Sequence, residues 1–234
     1  MTKSCIIYWL VFAVMFVIIY LCNKYFDLLK DISDAAHKPY SYSRVQLAFW
    51  TIIVFSGFIS VYLMTGRIPT FDTSTLILLG ISAGTTVTAS VIDTSDQSKN
   101  IPLSQDSNGK NLILDILSDN NGISIHRLQT VLFNLVIGAW FIQHTNIELG
   151  NLCTELLKCA GVPDVHACQL PILDKFVPDL VANKIMPVMS DNNLILLGVS
   201  AGTYAALKTN ENKPGMTSAP PAVPPPPPPP PPNQ

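Results

Sequence analysis

The residue types that usually carry catalysis are few and widely spaced in this 234-residue chain. The four histidines are scattered, and His126 has no second metal-ligating side chain close to it in sequence. No nucleophile with a matching base and no pair of carboxylates is visible, so the sequence offers no catalytic constellation. A net charge of −2 gives no electrostatic basis for binding nucleic acid. We therefore expect no enzyme activity, no metal, no cofactor and no nucleic-acid partner.

The motif G-x-x-x-G occurs twice within apolar stretches. Gly80 and Gly84 form the first copy, and Gly198 and Gly202 form the second. Glycines four residues apart lie on one face of a helix, and in lipid such small-residue faces let two helices approach closely. Two interpretations stay open: these faces pack two parts of the chain together, or they meet around the axis of an oligomer.

Uncharged polar residues inside the apolar stretches are candidates for a polar lining. They are Ser82, Thr85, Asn134, Ser200 and Thr203. Such side chains can hydrogen-bond between helices, or they can line a path through an oligomer. No Asp, Glu, Lys or Arg lies inside these stretches, whereas ion-coupled transporters usually need intramembrane ionisable groups. The composition argues against such a transporter and leaves a passive pore open.

The pattern S-x-x-R-x-Q precedes two of the apolar stretches and repeats an arginine and a glutamine at each. Arg44 and Gln46 belong to the first copy, and Arg127 and Gln129 belong to the second. An arginine at the mouth of a membrane helix can reach the lipid headgroups or cap the carbonyl end of a neighbouring helix. We expect these structural roles at the cytoplasmic mouth, with a ligand or partner site as the alternative.

Five apolar runs are long enough to be considered as membrane-spanning helices. They cover residues 5–22, 47–65, 73–92, 128–144 and 193–207. A helix needs roughly 20 apolar residues to cross the hydrocarbon core, so the last run is the shortest candidate. The first run is longer than the apolar part of a signal peptide and no A-x-A site follows it, which predicts an uncleaved anchor.

An internal repeat relates four of these runs. Residues 76–85 (LILLGISAGT) match residues 194–203 (LILLGVSAGT) at nine of ten positions, and each copy follows an S-x-x-R-x-Q segment and an apolar run. Two copies that each cross twice point the same way and are related by an axis along the membrane normal. The sequence therefore predicts an all-α membrane protein with five transmembrane helices: an N-terminal anchor and two parallel-repeat helical hairpins.

The same features divide the chain into five regions. They are the anchor and cytosolic linker (1–40), the first transmembrane hairpin (41–92), a cytosolic loop (93–122), the second hairpin (123–208) with an outer loop at 145–190, and a disordered proline-rich tail (209–234). Within the cytosolic loop, apolar residues at 112, 113, 116 and 117 predict a short amphipathic helix on the membrane surface.

Charge predicts the orientation, because Lys and Arg favour cytoplasmic loops. With the N-terminus outside, nine of the 14 Lys and Arg residues fall in the cytoplasmic segments 23–46, 93–127 and 208–234. The outer loop then holds Cys153, Cys159 and Cys168 on the oxidising side of a bacterial membrane, where a disulfide can persist. Two of the three could pair, or all could remain thiols.

The C-terminal tail ends in nine consecutive prolines, residues 224–232. Polyproline II rises about 3.1 Å per residue, so this segment forms a stiff rod of roughly 28 Å. The rod is either a spacer or a docking peptide for an aromatic-lined groove of a cytosolic protein.

The stretches 115–119 (DILSD) and 122–129 (GISIHRLQ), followed by LILLGVSAGTYAALK at 194–208, resemble a group of bacterial multi-pass inner-membrane proteins with a duplicated two-helix repeat and no assigned activity. The resemblance covers the second repeat and part of the first. It departs at Phe133 and Asn134, where that group commonly has Trp and Thr. It implies a location in the bacterial inner membrane and adds no catalytic residue.

These features predict a non-enzymatic, multi-pass assembly or anchor protein of the lipid bilayer. It would form a homo-oligomer through its G-x-x-x-G faces and recruit a cytosolic partner through its tail. The alternative is an oligomeric pore or channel-like effector that is gated by a cytosolic partner or ligand.

Overall fold

A computed structural model describes residues 3–31, 38–66, 68–99, 111–119, 122–160 and 185–211 of the chain. These residues form six helices and one two-stranded hairpin, together with their connections. In chain order they are α1 (Lys3–Phe26), α2 (Tyr42–Thr65), α3 (Thr73–Ser98), α4 (Leu112–Leu117), β1 (Ser118–Asp119), β2 (Gly122–Ile123), α5 (Ile125–Ala160) and α6 (Asp191–Glu211).

The ends of α2 and α3 follow from local capping chemistry. Gly66 ends α2 with a φ of 67°, a left-handed conformation that glycine adopts without strain, and its N–H donates to the carbonyl of Tyr62 at 2.8 Å. Asp72 begins α3, and its carboxylate accepts a 2.8 Å hydrogen bond from the backbone N–H of Ser74. The two caps confine the connection between these helices to a short turn.

Four long helices form a ring in the order α2, α3, α6, α5, with α5 closing against α2. Helix α1 packs against both α2 and α5, so it lies over that side of the ring. Within the described residues, the opposite side, formed by α3 and α6, has no further helix over it. The ring is therefore covered asymmetrically.

Helices α3 and α6 run parallel. At one end of the ring the N–H of Met189, just before α6, donates to Ser74 Oγ at the start of α3 (3.0 Å). At the other end Lys208 near the end of α6 meets Asp93 near the end of α3. We call these ends the Met189 end and the Lys208 end.

Helices α2 and α5 also run parallel. Trp50 on α2 hydrogen-bonds Asn134 on α5, and further along both helices Gly57 lies against Thr145. Each of the two matching helix pairs thus has the same direction.

Two isolated glycines allow close packing inside the ring. A Cβ atom on Gly138 of α5 would clash with Cζ of Phe49 on α2, and a Cβ on Gly57 would lie 3.2 Å from Sδ of Met186. The core that surrounds them includes Trp50, Ile53, Leu78, Ile137, Phe141, Met186, Met189, Leu194 and Leu197. Inside lipid, such steric fit rather than burial from water holds helices together.

Four helices are long and apolar enough to cross a membrane: Cys5–Phe26, Tyr42–Thr65, Thr73–Ser98 and Ile125–Asn151. Multiple apolar helices were predicted, and these four confirm that part of the prediction. The helices continue beyond the apolar runs, so they also include ionisable residues that lie outside those runs. Helix α3, for example, continues past residue 92 and includes Asp93 and Asp96.

The segment between α3 and α5 contains the predicted short helix. Helix α4 is followed by an antiparallel pairing of Ser118 with Ile123 and of Asp119 with Gly122. The apolar side chains of Leu112 and Ile113 are exposed, whereas Asp115 of the same helix is buried. Leu112 and Ile113 therefore face away from the bundle, whereas Ile116 packs against Tyr42, Ala89 and Tyr204.

Candidate functional site

Three buried charged side chains meet at the Lys208 end. The Lys208 Nζ atom lies 3.2 Å from Asp31 Oδ2 and 2.9 Å from Asp93 Oδ2. The exposed fractions of the Lys208, Asp31 and Asp93 side chains are 1%, 5% and 4%. We call this group the Lys208 cluster; it joins the α1–α2 connection, α3 and α6.

The two contacts in the Lys208 cluster differ in geometry. Lys208 donates a hydrogen bond to Asp31 Oδ2, whereas Asp93 Oδ2 has no hydrogen-bond partner among the described residues. The contact with Asp93 is nevertheless an ion pair, because 2.9 Å is close for opposite charges. Buried charged side chains are rare unless they are paired, so this group is a candidate for function.

The α1–α2 connection holds Asp31 in place through its backbone. The N–H of Asp31 donates to the carbonyl of Pro39 (2.9 Å), and the N–H of Ser41 donates to the carbonyl of Leu29 (2.8 Å). The N–H of Tyr40 donates to the buried carboxylate of Asp115 on α4 at 3.2 Å. The connection is thereby fastened to itself and to α4.

An exposed ion pair lies in the same connection. Lys30 Nζ is 2.7 Å from Asp27 Oδ1, and the hydrogen bond from Lys30 lowers the pKa of Asp27. Because both side chains are partly exposed to solvent, this pair contributes little to stability. It contrasts with the almost fully buried Lys208 cluster.

Arg127 and two tyrosines form a second group at the Lys208 end. The Arg127 guanidinium lies 5.5 Å from the ring centre of Tyr204, and the Tyr204 ring lies 4.7 Å from that of Tyr42. Arg127 also donates to the carbonyl of Ser118 on β1. A cation over an aromatic face is stabilised by the ring quadrupole, so this group ties α5 to α6 and α2.

The four predicted mouth residues differ in their surroundings, although they occupy matching positions in the two S-x-x-R-x-Q segments. Arg127 and Gln46 are buried, Arg44 is half-buried and Gln129 is exposed. Because α1 and the β1–β2 hairpin contact the two repeats differently, equivalent positions in the sequence do not have equivalent neighbours.

Asn134 is a hydrogen-bonding centre between α2 and α5. Its Oδ1 atom accepts from Trp50 Nε1 at 2.7 Å and from Gln46 Nε2 at 3.4 Å. Its Nδ2 atom donates to the carbonyl of Thr130 on its own helix at 2.7 Å. Asn134 therefore bonds the helices together in the structure described here, which is one of the two roles predicted for the polar residues.

Three of the other predicted lining residues bond to their own helices. Ser82 donates to the carbonyl of Leu78 (3.1 Å), and Thr85 and Thr203 bond the carbonyls four residues before them in the same way. Ser82 and Thr85 are buried, whereas Ser200 and Thr203 are half-buried. The hydroxyl groups of Ser82, Thr85 and Thr203 thus have hydrogen-bond partners in their own helices, and Ser200 is partly accessible. None of these groups requires a water-filled path inside the ring.

The four G-x-x-x-G residues, which we call the glycine face, lie on the α3–α6 side. A Cβ atom on Gly80, Gly84 or Gly202 would have no described atom within 4 Å, whereas one on Gly198 would meet Ile81 Cδ1 at 3.6 Å. Only Gly198 therefore sits between α3 and α6. The other three glycines face away from the described part of the chain.

The cysteines that were predicted as disulfide candidates fall outside what the structure describes. Cys153 and Cys159 lie in the part of α5 whose side chains are not described, and Cys168 lies outside the described residues. Helix α5 itself extends to Ala160, into the segment predicted as the outer loop. A disulfide remains a prediction.

Sequence reasoning missed the Lys208 cluster. A signal for part of it was present, because Asp93 directly follows the third apolar run and Lys208 directly follows the fifth. With those runs predicted to be parallel, both charges had to lie at the same end. Nothing in the sequence marked Asp31, whose position depends on the fold of the α1–α2 connection.

Comparisons with protein-family models, with curated proteins and with solved structures find no match to this chain. The function proposed below is therefore argued from the chain itself.

Proposed function

We propose that this chain is a non-enzymatic membrane assembly or anchor protein whose copies associate through the glycine face. The observation that carries the proposal is the open space beside Gly80, Gly84 and Gly202. Glycine is a poor helix former, costing about 1 kcal/mol relative to alanine in a helix interior. Glycines that contact nothing in the described part of one copy are explained if a second copy packs against them.

The asymmetric cover of the ring supports this interface. Helix α1 occupies the α2–α5 side, and the exposed α3–α6 side presents Val87, Val91 and Val199 beside the glycines. Small residues flanked by valines suit close helix packing in lipid, where van der Waals contact drives association. The partner that fits is a second copy of the same face.

Five membrane-spanning helices complete the proposed architecture. Helix α6 has 21 residues, which correspond to about 32 Å and match a hydrocarbon core of about 30 Å. Its charged residues, Asp191, Lys208 and Glu211, lie towards its two ends. The parallel directions of α2 with α5 and of α3 with α6 support two hairpins related by duplication.

The proposed setting is a bacterial inner membrane with the N-terminus outside and the tail in the cytoplasm. The charge bias of the loops supports this orientation. The tail follows α6 at the Lys208 end, so this end would face the cytoplasm. There the proline segment would dock into an aromatic-lined groove of a partner.

The test of the assembly is a double substitution, Gly80→Leu with Gly84→Leu, in the full chain. Both positions have space in one copy, so the variant should fold like the wild type and lose its oligomeric mass in detergent micelles or nanodiscs. Val17→Leu on the exposed side of α1 is the matched control and should keep the wild-type mass. An unchanged mass in the glycine variant would contradict the proposed interface.

The pore alternative predicts a different outcome. Liposomes that hold the wild-type protein should stay impermeable to ions if the protein is an anchor. Ion passage that changes with Ser200→Ala or Thr203→Ala would favour the pore.

A further inference from the structure

Five side chains of α1, α2 and α5 bury oxygen atoms that have no hydrogen-bond partner among the described residues. They are Tyr8 on α1, Ser56 and Ser60 on α2, and Thr145 and Asn146 on α5. The first four of these residues are fully buried. A buried hydroxyl without a partner is costly, because nothing replaces the hydrogen bonds that it made with water in the unfolded chain. We call these five side chains the Ser60 group.

The members on α2 and α5 lie where these two helices meet. A Cβ atom on Gly57 would lie 3.3 Å from Thr145 Cγ2 and 3.2 Å from Met186 Sδ. Ser56 is adjacent to Gly57, and Ser60 lies one turn after Ser56 on the same face of α2. The three residues therefore share the half of the bundle that is nearer to the Met189 end.

Helix α1 brings Tyr8 to the same place. Cys5, one turn before Tyr8, hydrogen-bonds the carbonyl of Asn146 through its thiol (3.9 Å). Tyr8 itself packs in one apolar cluster with Val61 of α2 and Leu149 of α5. These two neighbours lie within one turn of the α2 and α5 members of the Ser60 group. Three helices therefore enclose the group.

Other hydroxyls of the same helices are satisfied locally. Thr51 and Thr65 of α2 and Thr130 of α5 each donate to the carbonyl four residues before them, at 2.7–2.8 Å. A hydroxyl bonded in this way needs no further partner. The α2 and α5 hydroxyls of the Ser60 group make no such bond, so their orientation points to a partner outside their own helix.

The chemistry of the Ser60 group fits water. A hydroxyl both donates and accepts, an amide oxygen accepts, and none of the five groups is charged, which favours a neutral ligand over an ion. A buried water molecule typically makes about three hydrogen bonds to polar groups that otherwise lack partners. Towards the Lys208 end, the buried apolar side chains of Ile53 and Phe141 separate the group from Asn134. The site is therefore closed on that side.

We propose that the Ser60 group binds water, and that this water joins the anchor helix α1 to α2 and α5 in the Met189 half of the bundle. Hydrogen bonds through an ordered water are nearly as favourable in enthalpy as direct ones. The attachment of α1 thus differs from the contact between α2 and α5, where Trp50 donates directly to Asn134 (2.7 Å). This inference does not depend on the glycine face.

Radiolytic footprinting tests the site, because X-rays convert bound water into hydroxyl radicals that oxidise the side chains beside it. The experiment uses the full-length protein in nanodiscs, and mass spectrometry locates the products. Tyr8 should be oxidised faster than Trp50, although both residues are fully buried and an indole is at least as reactive as a phenol. Oxidation of Tyr8 that is no faster than that of Trp50 would overturn the proposal.

The double variant Ser56→Ala with Ser60→Ala tests the assignment to these hydroxyls. It should slow the oxidation of Tyr8 and lower the temperature of unfolding, because the bound water loses hydrogen bonds. Thr51→Val removes a hydroxyl that is bonded within α2, so this matched control should leave the oxidation of Tyr8 unchanged.

Two results with the double variant would overturn the proposal. A higher temperature of unfolding would show that the hydroxyls are buried dry, since their removal would then relieve a cost. Unchanged oxidation of Tyr8 would show that the water beside it is not held by Ser56 and Ser60. The comparison of Tyr8 with Trp50 in the wild type decides the question even if the variant does not fold.

Discussion

At the scale of single residues, a buried hydrogen bond between side chains joins α2 to α5. Asn134 satisfies the indole N–H of Trp50, and both side chains are buried. A buried donor that loses its acceptor costs roughly 1–3 kcal/mol, because no water replaces the lost bond. The polar residues of an apolar helix can thus matter for stability without lining any path.

Substitution of Asn134 by alanine should lower the free energy of unfolding by roughly 1–2 kcal/mol, because the Trp50 N–H is left unpaired. The measurement is unfolding of the purified protein in mixed micelles, followed by tryptophan fluorescence. Gln143→Ala, which removes an exposed amide from the same helix, is the control and should have little effect. Equal effects of both changes would show that Asn134 does not hold α2 to α5.

The Asp72 cap gives a pH-dependent prediction. Hydrogen bonds from Ser74 lower the pKa of Asp72 below its ordinary value. The cap therefore stabilises the fold fully above the unfolded-state pKa of about 3.9, and this stabilisation is lost as the pH falls through the folded-state pKa.

Asp72→Ala should destabilise the protein by about 1 kcal/mol at neutral pH, as loss of a helix cap usually does. The difference from the wild type should shrink as the pH falls below about 4. Unfolding measured across this range checks both statements. Asp72→Asn, which keeps an uncharged cap, should show a smaller pH dependence, and a larger one would contradict the account.

At the scale of helices, much of the fold was predictable. Each of the five apolar runs lies in one of the long helices α1, α2, α3, α5 and α6. The helix ends were less predictable, because hydropathy detects only the apolar part of a helix. Helix α3 continues to Ser98 and α5 to Ala160, through polar residues that carry no hydropathy signal.

The roles of the glycines show a second limit of sequence reasoning. The repeated G-x-x-x-G motif is conspicuous in the sequence, yet the tight contacts inside the ring form at the isolated residues Gly57 and Gly138. Whether a glycine lies between two helices depends on helix rotation, which spacing alone does not determine. The Lys208 cluster was missed for a related reason, because Asp31 and Lys208 are 177 positions apart.

Leucine at Gly138 should destabilise the fold strongly, whereas leucine at Gly84 should leave the unfolding of a single copy nearly unchanged. At Gly138 even a Cβ atom would clash with the Phe49 ring, and overpacking of this kind costs about 1–3 kcal/mol or more. Unfolding at high detergent dilution, where copies are separated, compares the two variants. Equal destabilisation would mean that the glycine face is already occupied within one copy.

At the scale of the whole molecule, the ring and the helix α1 that covers one side of it indicate how an assembly would be organised. Helix α1 covers the α2–α5 side, and the tail leaves from the Lys208 end. Association through the α3–α6 side would leave each α1 on the outside and bring the Lys208 ends together on one face of the membrane. The tails of neighbouring copies would then be available to the same partner.

Topology can be tested by labelling single cysteines in a variant whose five native cysteines are replaced by serine. With five spans, Lys99→Cys should react with an impermeant reagent only from the cytoplasmic side, and Lys175→Cys only from the outside. Intact spheroplasts and inverted vesicles provide the two sides. Reaction of both positions from the same side would contradict the five-span arrangement.

Association through the glycine face is the central claim, and cysteine cross-linking in native membranes tests it most directly. Gly84→Cys, alone and together with Gly202→Cys, should give a covalent dimer of the otherwise cysteine-free chain on mild oxidation. Val17→Cys on the exposed side of α1 should remain monomeric. Efficient cross-linking at Val17, with none at Gly84 or Gly202, would contradict the account.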